Sequence, residues 1–196
     1  MFLSDREKKI SEEYLNQGFV IQDVEKMNSL DWIRDCFYKI IKKEIPKTKN
    51  DKPENILNNI HKYVEVSKLN NFRVNLINKI NSINNFRENF YKISKSLVDV
   101  IVGNEIAMQL RVSLSIQLPK DDSSLLTVHA DTWSGVSPFE TVIWLRLVDC
   151  YNTKSMYILP PKKNLMLNKL FLDKKIKKSD DLFEVIKKDL IWLDVK

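Results

Sequence analysis

Glycine, cysteine and histidine are scarce in this chain, and each shortage excludes a class of function. Three glycines among 196 residues are too few for a glycine-rich phosphate loop or a dinucleotide-binding turn. The two cysteines, Cys36 and Cys150, form no Cys-x-x-Cys pair, so we expect reduced, partly buried thiols. No Gly-x-Ser-x-Gly elbow occurs either. Nucleotide-binding enzymes, thiol oxidoreductases and α/β-hydrolases are therefore poor candidates.

Long apolar runs are also missing. No stretch approaches the roughly 20 apolar residues needed to span a bilayer, and residues 1–6 lack the apolar run of a secretory signal. We therefore expect a cytoplasmic protein with no membrane partner. Hydrophobic residues make up 43% of the chain, enough to bury a core, and the length fits one domain.

The charge balance is basic, with 32 Lys and Arg against 26 Asp and Glu and a net charge of +6. Such a balance can indicate an anionic partner such as a nucleic acid. The lysines, however, are dispersed among acidic residues along the chain rather than collected on one face. We therefore expect no nucleic-acid partner.

Helical patterns dominate the first half. Residues 5–17 predict a helix that Ser4 or Asp5 caps and Gly18 ends. Apolar residues recur at helical spacing again after Asn28-Ser29 and over residues 54–101. The predicted connections are a short strand at 19–21 and a polar, lysine-rich linker at 46–53.

Strand patterns follow Gly103. Residues 110–118 alternate strictly between apolar and polar side chains, the clearest strand signal in the chain. Further strands are predicted at about 124–130, 140–149, 155–160 and from 190, with a lysine-rich helical insertion at about 163–188. We expect one α+β domain over residues 1–196, with a helical part (1–103) and a mostly antiparallel β unit (104–196). Because the last strand starts as the chain stops, we also expect a fragment.

One pair of residues could carry metal chemistry. His129 and Asp131 lie two residues apart at a predicted strand end, so their side chains project to the same side. They could supply two ligands of the 2-His-1-carboxylate triad that binds non-haem iron. With two histidines and this acid content, a His-x-acid motif arises by chance about once in four sequences. The other histidine, His61, lies in a helical stretch, where we expect a surface or helix histidine rather than the third ligand.

A family resemblance extends the motif. Residues 110–161 resemble the phytanoyl-CoA-dioxygenase-like branch of the 2-oxoglutarate oxygenases. The run Leu118–Glu140 looks more specifically like oxygenases encoded in bacterial surface-carbohydrate gene clusters, while Lys154–Pro161 and Tyr14–Val24 are similar to flanking elements of that family. The resemblance implies an incomplete double-stranded β-helix, or jelly roll. It also implies hydroxylation of a carbohydrate or its precursor, with Fe(II) as cofactor and 2-oxoglutarate as cosubstrate.

The resemblance also implies roles for single residues. His129 and Asp131 match the first two iron ligands. Trp144 lies where the family often has an aromatic residue beside 2-oxoglutarate, although a core tryptophan explains it equally well. Ser115 and Gln117 either hydrogen-bond 2-oxoglutarate or form a solvated strand face. Trp133 either stacks against a sugar or packs on its own loop.

The departures from the family are equally informative. No histidine follows His129, and Arg146, the last arginine, lies on the wrong strand to bind 2-oxoglutarate. The third iron ligand and the cation are therefore missing. Truncation is the favoured explanation, while completion by another chain and a relic of the fold stay open. The alternative function is a non-catalytic β-sandwich module that binds a sugar or a partner protein through Trp133.

Overall fold

The computed structural model describes residues 3–48, 50–121, 127–151, 154–173, 176 and 179–195. This part of the chain is mostly helical. Three short 3-10 helices, Pro46–Thr48, Ile60–Lys62 and Asp131–Ser134, accompany the α-helices. The α-helices are α1 (Asp5–Gln17), α2 (Met27–Glu44), α3 (Pro53–Asn58), α4 (Val66–Asn81), α5 (Phe86–Lys92), α6 (Lys95–Ile101), α7 (Pro161–Leu172) and α8 (Ser179–Ile186).

The first helix has the limits that the sequence predicts. The Ser4 backbone N–H donates to the Glu7 carboxylate over 2.6 Å, and the Glu7 N–H donates to the Ser4 hydroxyl oxygen over 3.3 Å. This reciprocal capping box satisfies backbone donors that would otherwise lack partners. The hydrogen bonds from Ser4 also lower the pKa of Glu7. Gly18 ends α1 in the left-handed conformation at φ 81°, which glycine adopts without steric cost.

The main core lies between α2, α4 and α5. Phe86 is only 1% exposed and lies with its ring centroid 6.0 Å from both Trp32 and Phe37. Aromatic pairs at this separation add to the stabilisation from apolar burial. The buried members of this cluster are Leu30, Ile33, Cys36, Phe37, Ile80, Phe86, Ile93 and Val112.

Residues 110–118 cover this core without forming a strand. Val112 and Leu118 are buried and Leu114 is half-buried, whereas the intervening Ser113 and Ser115 are exposed. The predicted alternation of faces is therefore present from Val112 onward, although Leu110 is 80% exposed. In the part of the chain that is described, this segment pairs with no strand.

An asparagine side chain binds this segment in place of a neighbouring strand. The Asn81 amide accepts from the Val112 N–H over 2.8 Å and donates to the Val112 carbonyl over 2.9 Å. One side chain thereby satisfies both backbone groups of a buried residue, which is a requirement of burial.

The prediction of a jelly roll, even an incomplete one, is wrong for the described residues. They contain one sheet of two short antiparallel strands, β1 (Tyr157–Ile158) and β2 (Ile191–Trp192). The predicted strands at 19–21 and 140–149 belong to no sheet there, and neither do residues 127–130 of the predicted strand 124–130, of which residues 124–126 lie outside the described residues. The physical reason is that a strand pattern specifies which side chains face the core but does not specify a partner strand.

The last third of the chain has a smaller core of its own. Leu167, Ile176, Leu182 and Ile186 are buried together where α7 and α8 meet. These helices lie at the predicted helical insertion, and the strands on either side of it pair with each other. No helix within the described ranges is both long and apolar enough to cross a membrane.

Candidate metal site

The backbone around His129 and Asp131 changes from extended to helical within two residues. Ala130 between them is extended, at φ −116° and ψ 138°, and Asp131 begins a 3-10 helix that ends at Gly135. The Val136 N–H donates to the Asp131 carbonyl over 3.3 Å and closes the turn. Because residues on either side of an extended residue project to the same side, this backbone directs both candidate ligands together.

The two side chains converge. His129 Nε2 lies 3.6 Å from Asp131 Oδ1. Bonds from a transition metal to imidazole nitrogen or carboxylate oxygen measure about 2.0–2.2 Å, so the two donors of one ion can be separated by up to about 4.2 Å. The observed separation lies within that limit, and both atoms can therefore reach the same metal ion.

The other nitrogen of the imidazole fixes its orientation. His129 Nδ1 lies 2.7 Å from the backbone carbonyl oxygen of Thr127. A carbonyl can only accept, so Nδ1 carries the proton, and a neutral His129 has its lone pair on Nε2. Metal-binding histidines generally hold their second nitrogen in this way. The sequence did not predict the role of Thr127, because a backbone carbonyl leaves no residue-type signal.

The pair is accessible, and it provides two ligands. The side chains of His129 and Asp131 are 43% and 55% exposed. Within the described residues, no group of three or more His, Cys, Asp or Glu side chains could hold a metal ion. The described residues thus supply two donors at this place, one fewer than the three protein ligands of a facial triad. With His129 protonated, the same atoms form a weak surface ion pair instead.

Trp133 connects this loop to helix α7. It lies in the 3-10 helix that Asp131 begins, and its side chain is 51% exposed. Its ring meets Phe171 edge to face, with centroids 5.4 Å apart and an interplanar angle of 85°. Both interpretations of Trp133 thus have a physical basis, since one part of the indole packs on the scaffold and another faces solvent. No pattern in the sequence indicated the Phe171 contact.

The remaining candidates are not joined to the pair by described contacts. Ser115 and Gln117 are exposed on the outer side of the segment that covers the core. Across the described ranges, no hydrogen bond connects either of them to His129 or Asp131. Trp144 is 40% exposed and is therefore not a fully buried core residue. None of the contacts among the described residues places it beside His129 or Asp131.

The other histidine is well separated from His129 along the chain and is exposed as His129 is. His61 lies in the 3-10 helix Ile60–Lys62, and its side chain is exposed. It therefore provides a natural control for substitutions of His129.

Comparisons of the whole chain with models of protein families, with characterised proteins and with solved structures found no match.

Proposed function

We propose that this chain contributes two iron ligands, His129 and Asp131, to an Fe(II)- and 2-oxoglutarate-dependent oxygenase whose third ligand it does not itself supply. One observation carries the proposal: His129 Nε2 lies 3.6 Å from Asp131 Oδ1 while Nδ1 is held by the Thr127 carbonyl. This arrangement supports metal binding because the lone pair and the carboxylate face each other on an accessible loop. The choice of iron and 2-oxoglutarate comes from the family resemblance around the motif.

The roles of the residues follow from their chemistry. Bound iron and 2-oxoglutarate would together supply the oxidising power for hydroxylation. His129 offers a neutral nitrogen ligand, and Asp131 offers a negative charge that offsets part of the charge of the cation. Thr127 holds the imidazole in the tautomer that metal binding needs. The exposure of the pair leaves space for a cosubstrate beside the ion.

The substrate and the location are part of the same proposal. We infer a carbohydrate or a carbohydrate precursor, since Trp133 offers a half-exposed indole two residues after Asp131. A sugar ring can pack its C–H face on such a surface. A cytoplasmic location agrees with Cys36 and Cys150, which are both free thiols, as is usual in a reducing compartment.

The first experiment measures succinate released from 2-oxoglutarate with Fe(II), oxygen and ascorbate. Because no histidine follows His129 and no arginine follows Arg146, we expect release only where the third iron ligand and the cation for 2-oxoglutarate are supplied, by a second chain or by a longer form of the protein. In that complete site, His129→Ala and Asp131→Ala should each reduce release to background, because each removes one of the two ligands that this chain contributes. His61→Ala should retain the full rate, since it removes the other histidine from an exposed 3-10 helix. Equal rates in the wild type and His129→Ala would rule out the proposed iron site.

Metal affinity is measured separately from turnover. Calorimetric titration with Fe(II) under anaerobic conditions measures the dissociation constant. His129→Ala should raise it by about tenfold to a hundredfold, the range seen when residues that support a metal ligand are lost. His61→Ala should bind as the wild type does. Wild-type affinity for Fe(II) in His129→Ala would rule out the iron site independently of turnover.

A second candidate function is metal-independent binding of a sugar, which the exposure of Trp133 favours. It predicts that sugar binding persists in the presence of a chelator and is lost in Trp133→Ala. Trp144→Ala is the matched control, since Trp144 is similarly exposed on another segment. Binding that requires Fe(II), or that survives Trp133→Ala, would eliminate this candidate.

A further inference from the structure

The positive charge of the chain is concentrated in one segment. Residues 161–178 contain seven lysines and one aspartate, so their net charge of +6 equals that of the whole chain. The other 178 residues carry 25 basic and 25 acidic side chains and are neutral overall. The sequence-based view of dispersed lysines is therefore wrong for this segment. A net charge concentrated in one segment of the sequence favours an anionic partner for that segment.

The described part of this segment is helix α7, and one of its faces combines lysine with exposed apolar side chains. Leu165 is 71%, Met166 59% and Leu172 82% exposed. With Lys162 and Lys169 they follow the spacing i, i+3, i+4, i+7 and i+10, which places all five on one side of an α-helix. No acidic residue occurs in α7.

The opposite side of α7 attaches it to the protein. Leu167 is 5% exposed and belongs to the C-terminal core, with Leu170 partly buried against the same cluster. Lys163 forms an ion pair with Asp189 at 2.7 Å, and Phe171 contacts Trp133. Because Leu167 and Lys169 are two residues apart, they lie about 160° apart around the helix axis. The exposed face is thus not needed to hold the helix in place.

We propose that α7 is a membrane-surface helix, whose exposed face docks on a bilayer containing anionic lipids. Leu165, Met166 and Leu172 enter the boundary between headgroups and acyl chains, while the lysines meet the lipid phosphates and carboxylates. Apolar side chains that enter the headgroup boundary and basic side chains that meet anionic lipids are the two kinds of contact by which peripheral helices bind membranes, and this face offers three of the first kind and two of the second. This association is peripheral and is compatible with the lack of a spanning helix in the described residues.

The apolar side chains favour a lipid over a nucleic acid as the partner. Lysines alone would bind phosphates of either kind, since both are polyanions. Three large hydrophobic side chains that point into solvent make no favourable contact with a phosphate backbone, whereas moving each one into an acyl layer lowers the free energy. The charge and the apolar surface lie together on one face of α7, which is the combination that a membrane surface satisfies.

Docking would bring the candidate metal site near the lipid headgroups. Phe171 lies on the protein side of α7 and contacts Trp133, which is two residues from Asp131. The loop would then sit about one helix diameter, ~10 Å, from the bilayer surface. The docking proposal itself does not depend on the oxygenase proposal and is tested without any measurement of turnover.

The test measures co-sedimentation of the purified chain with phosphatidylcholine vesicles that contain or lack phosphatidylserine. We expect binding to the anionic vesicles that weakens as salt is added. Lys162→Gln/Lys169→Gln should weaken binding roughly thirtyfold, because each lysine near an anionic surface contributes about a factor of five. Leu165→Gln/Met166→Gln should weaken it roughly a hundredfold, because two side chains no longer enter the apolar layer.

Matched controls separate this face from general surface properties. Leu15→Gln removes a similarly exposed leucine from α1, and Lys47→Gln/Lys62→Gln removes two exposed lysines elsewhere. Both should bind vesicles as the wild type does, and circular dichroism should show unchanged helix content for all variants. Glutamine is chosen because it is a good helix former.

Three results would overturn the proposal. The first is no binding of the wild type to anionic vesicles at low salt. The second is unchanged binding in both α7 variants, or equal loss in the controls. The third is the absence of vesicle binding together with another partner. Binding to duplex DNA would then assign the face to nucleic acid, and a dimer that Leu165→Gln/Met166→Gln dissociates would assign it to a second copy of the chain.

Discussion

Backbone N–H and C=O groups find their hydrogen-bond partners in different ways in the helical half of the chain, residues 5–101, and in the remainder, residues 104–195. In the helical half, α1 to α6 close their hydrogen bonds between residues four apart and then bury a large shared core. In the remainder, the described residues contain one short pair of strands, one isolated bridge between Cys150 and Val195, the 3-10 helix Asp131–Ser134, and two α-helices over a small core. Extended segments connect these elements without joining a sheet.

The comparison teaches that local and non-local hydrogen bonds make different demands on a sequence. A helix needs only suitable neighbours along the chain, so α1 begins and ends where its own residues specify. An extended segment needs a partner from elsewhere, and Val112 obtains its partner from the helical half through Asn81. We therefore expect the helical half to be the more stable part and the remainder to depend on it.

Removing a core aromatic side chain from the helical half should lower the free energy of unfolding more than any other substitution considered. Phe86→Ala should lower the free energy of unfolding by about 3–5 kcal/mol, because it leaves a cavity between Trp32 and Phe37. The matched substitution in the remainder is Phe139→Ala, which should change it by less than about 0.5 kcal/mol since Phe139 is 89% exposed. Urea denaturation followed by circular dichroism measures both.

Equal destabilisation by the two phenylalanine substitutions would contradict the difference between the regions. Phe86→Leu serves if Phe86→Ala does not fold. This conservative variant keeps most of the side-chain volume and should cost less than about 1.5 kcal/mol. Its loss of unfolding free energy relative to the wild type, set against that of Phe139→Ala, would still test the packing.

An intermediate effect is expected at the connection between the regions. Asn81→Ala removes both hydrogen bonds to Val112 and leaves two buried backbone groups without their partner. The expected loss is about 1–3 kcal/mol of unfolding free energy, together with faster hydrogen exchange at the Val112 amide. Asn58→Ala is the control, because its amide bonds only the Glu54 carbonyl on the exposed side of α3. Unchanged exchange at Val112 would show that the two regions are held together elsewhere.

Helices and faces were predictable from the sequence, whereas strand partners were not. Ser4, Glu7 and Gly18 specify both ends of α1 through local contacts, and the alternation from Val112 to Leu118 correctly identifies the buried side chains. The same alternation led to the prediction of a sheet. That prediction was wrong because an alternating pattern contains no information about which element lies beside the segment. In the structure, side chains from α2, α4 and α5 cover the apolar face and Asn81 bonds the backbone.

The candidate site divides along the same line. The spacing of His129 and Asp131 predicts their convergence, and their donor atoms lie 3.6 Å apart. The Thr127 carbonyl and the Phe171 ring could not be predicted, since one contact uses the backbone and the other comes from helix α7, about 40 residues further along the chain. The roles of Ser115, Gln117 and Trp144 stay predictions, because they depend on a neighbouring cosubstrate rather than on contacts within the chain.

A smaller difference is expected between the alkylation rates of two cysteines, one from each region. Cys36 in α2 and Cys150 at the isolated bridge are similarly buried, at 8% and 6% exposure, and burial raises the pKa of both thiols. Each is therefore largely protonated and shielded near pH 8, and alkylation requires local opening. In mild urea, Cys150 should react at least about tenfold faster than Cys36, a difference of ~1.4 kcal/mol in opening free energy.

Peptide mass spectrometry after timed alkylation gives the two rates in the same sample, so each thiol is the control for the other. Raising the pH should speed both reactions to a similar degree, because both pKa values are shifted in the same direction. Faster labelling at Cys150 would mean that the bridge to Val195 opens while the helical core stays closed. Equal rates at every urea concentration would instead mean that the whole chain opens as one cooperative unit, and the two regions would then differ in architecture but not in stability.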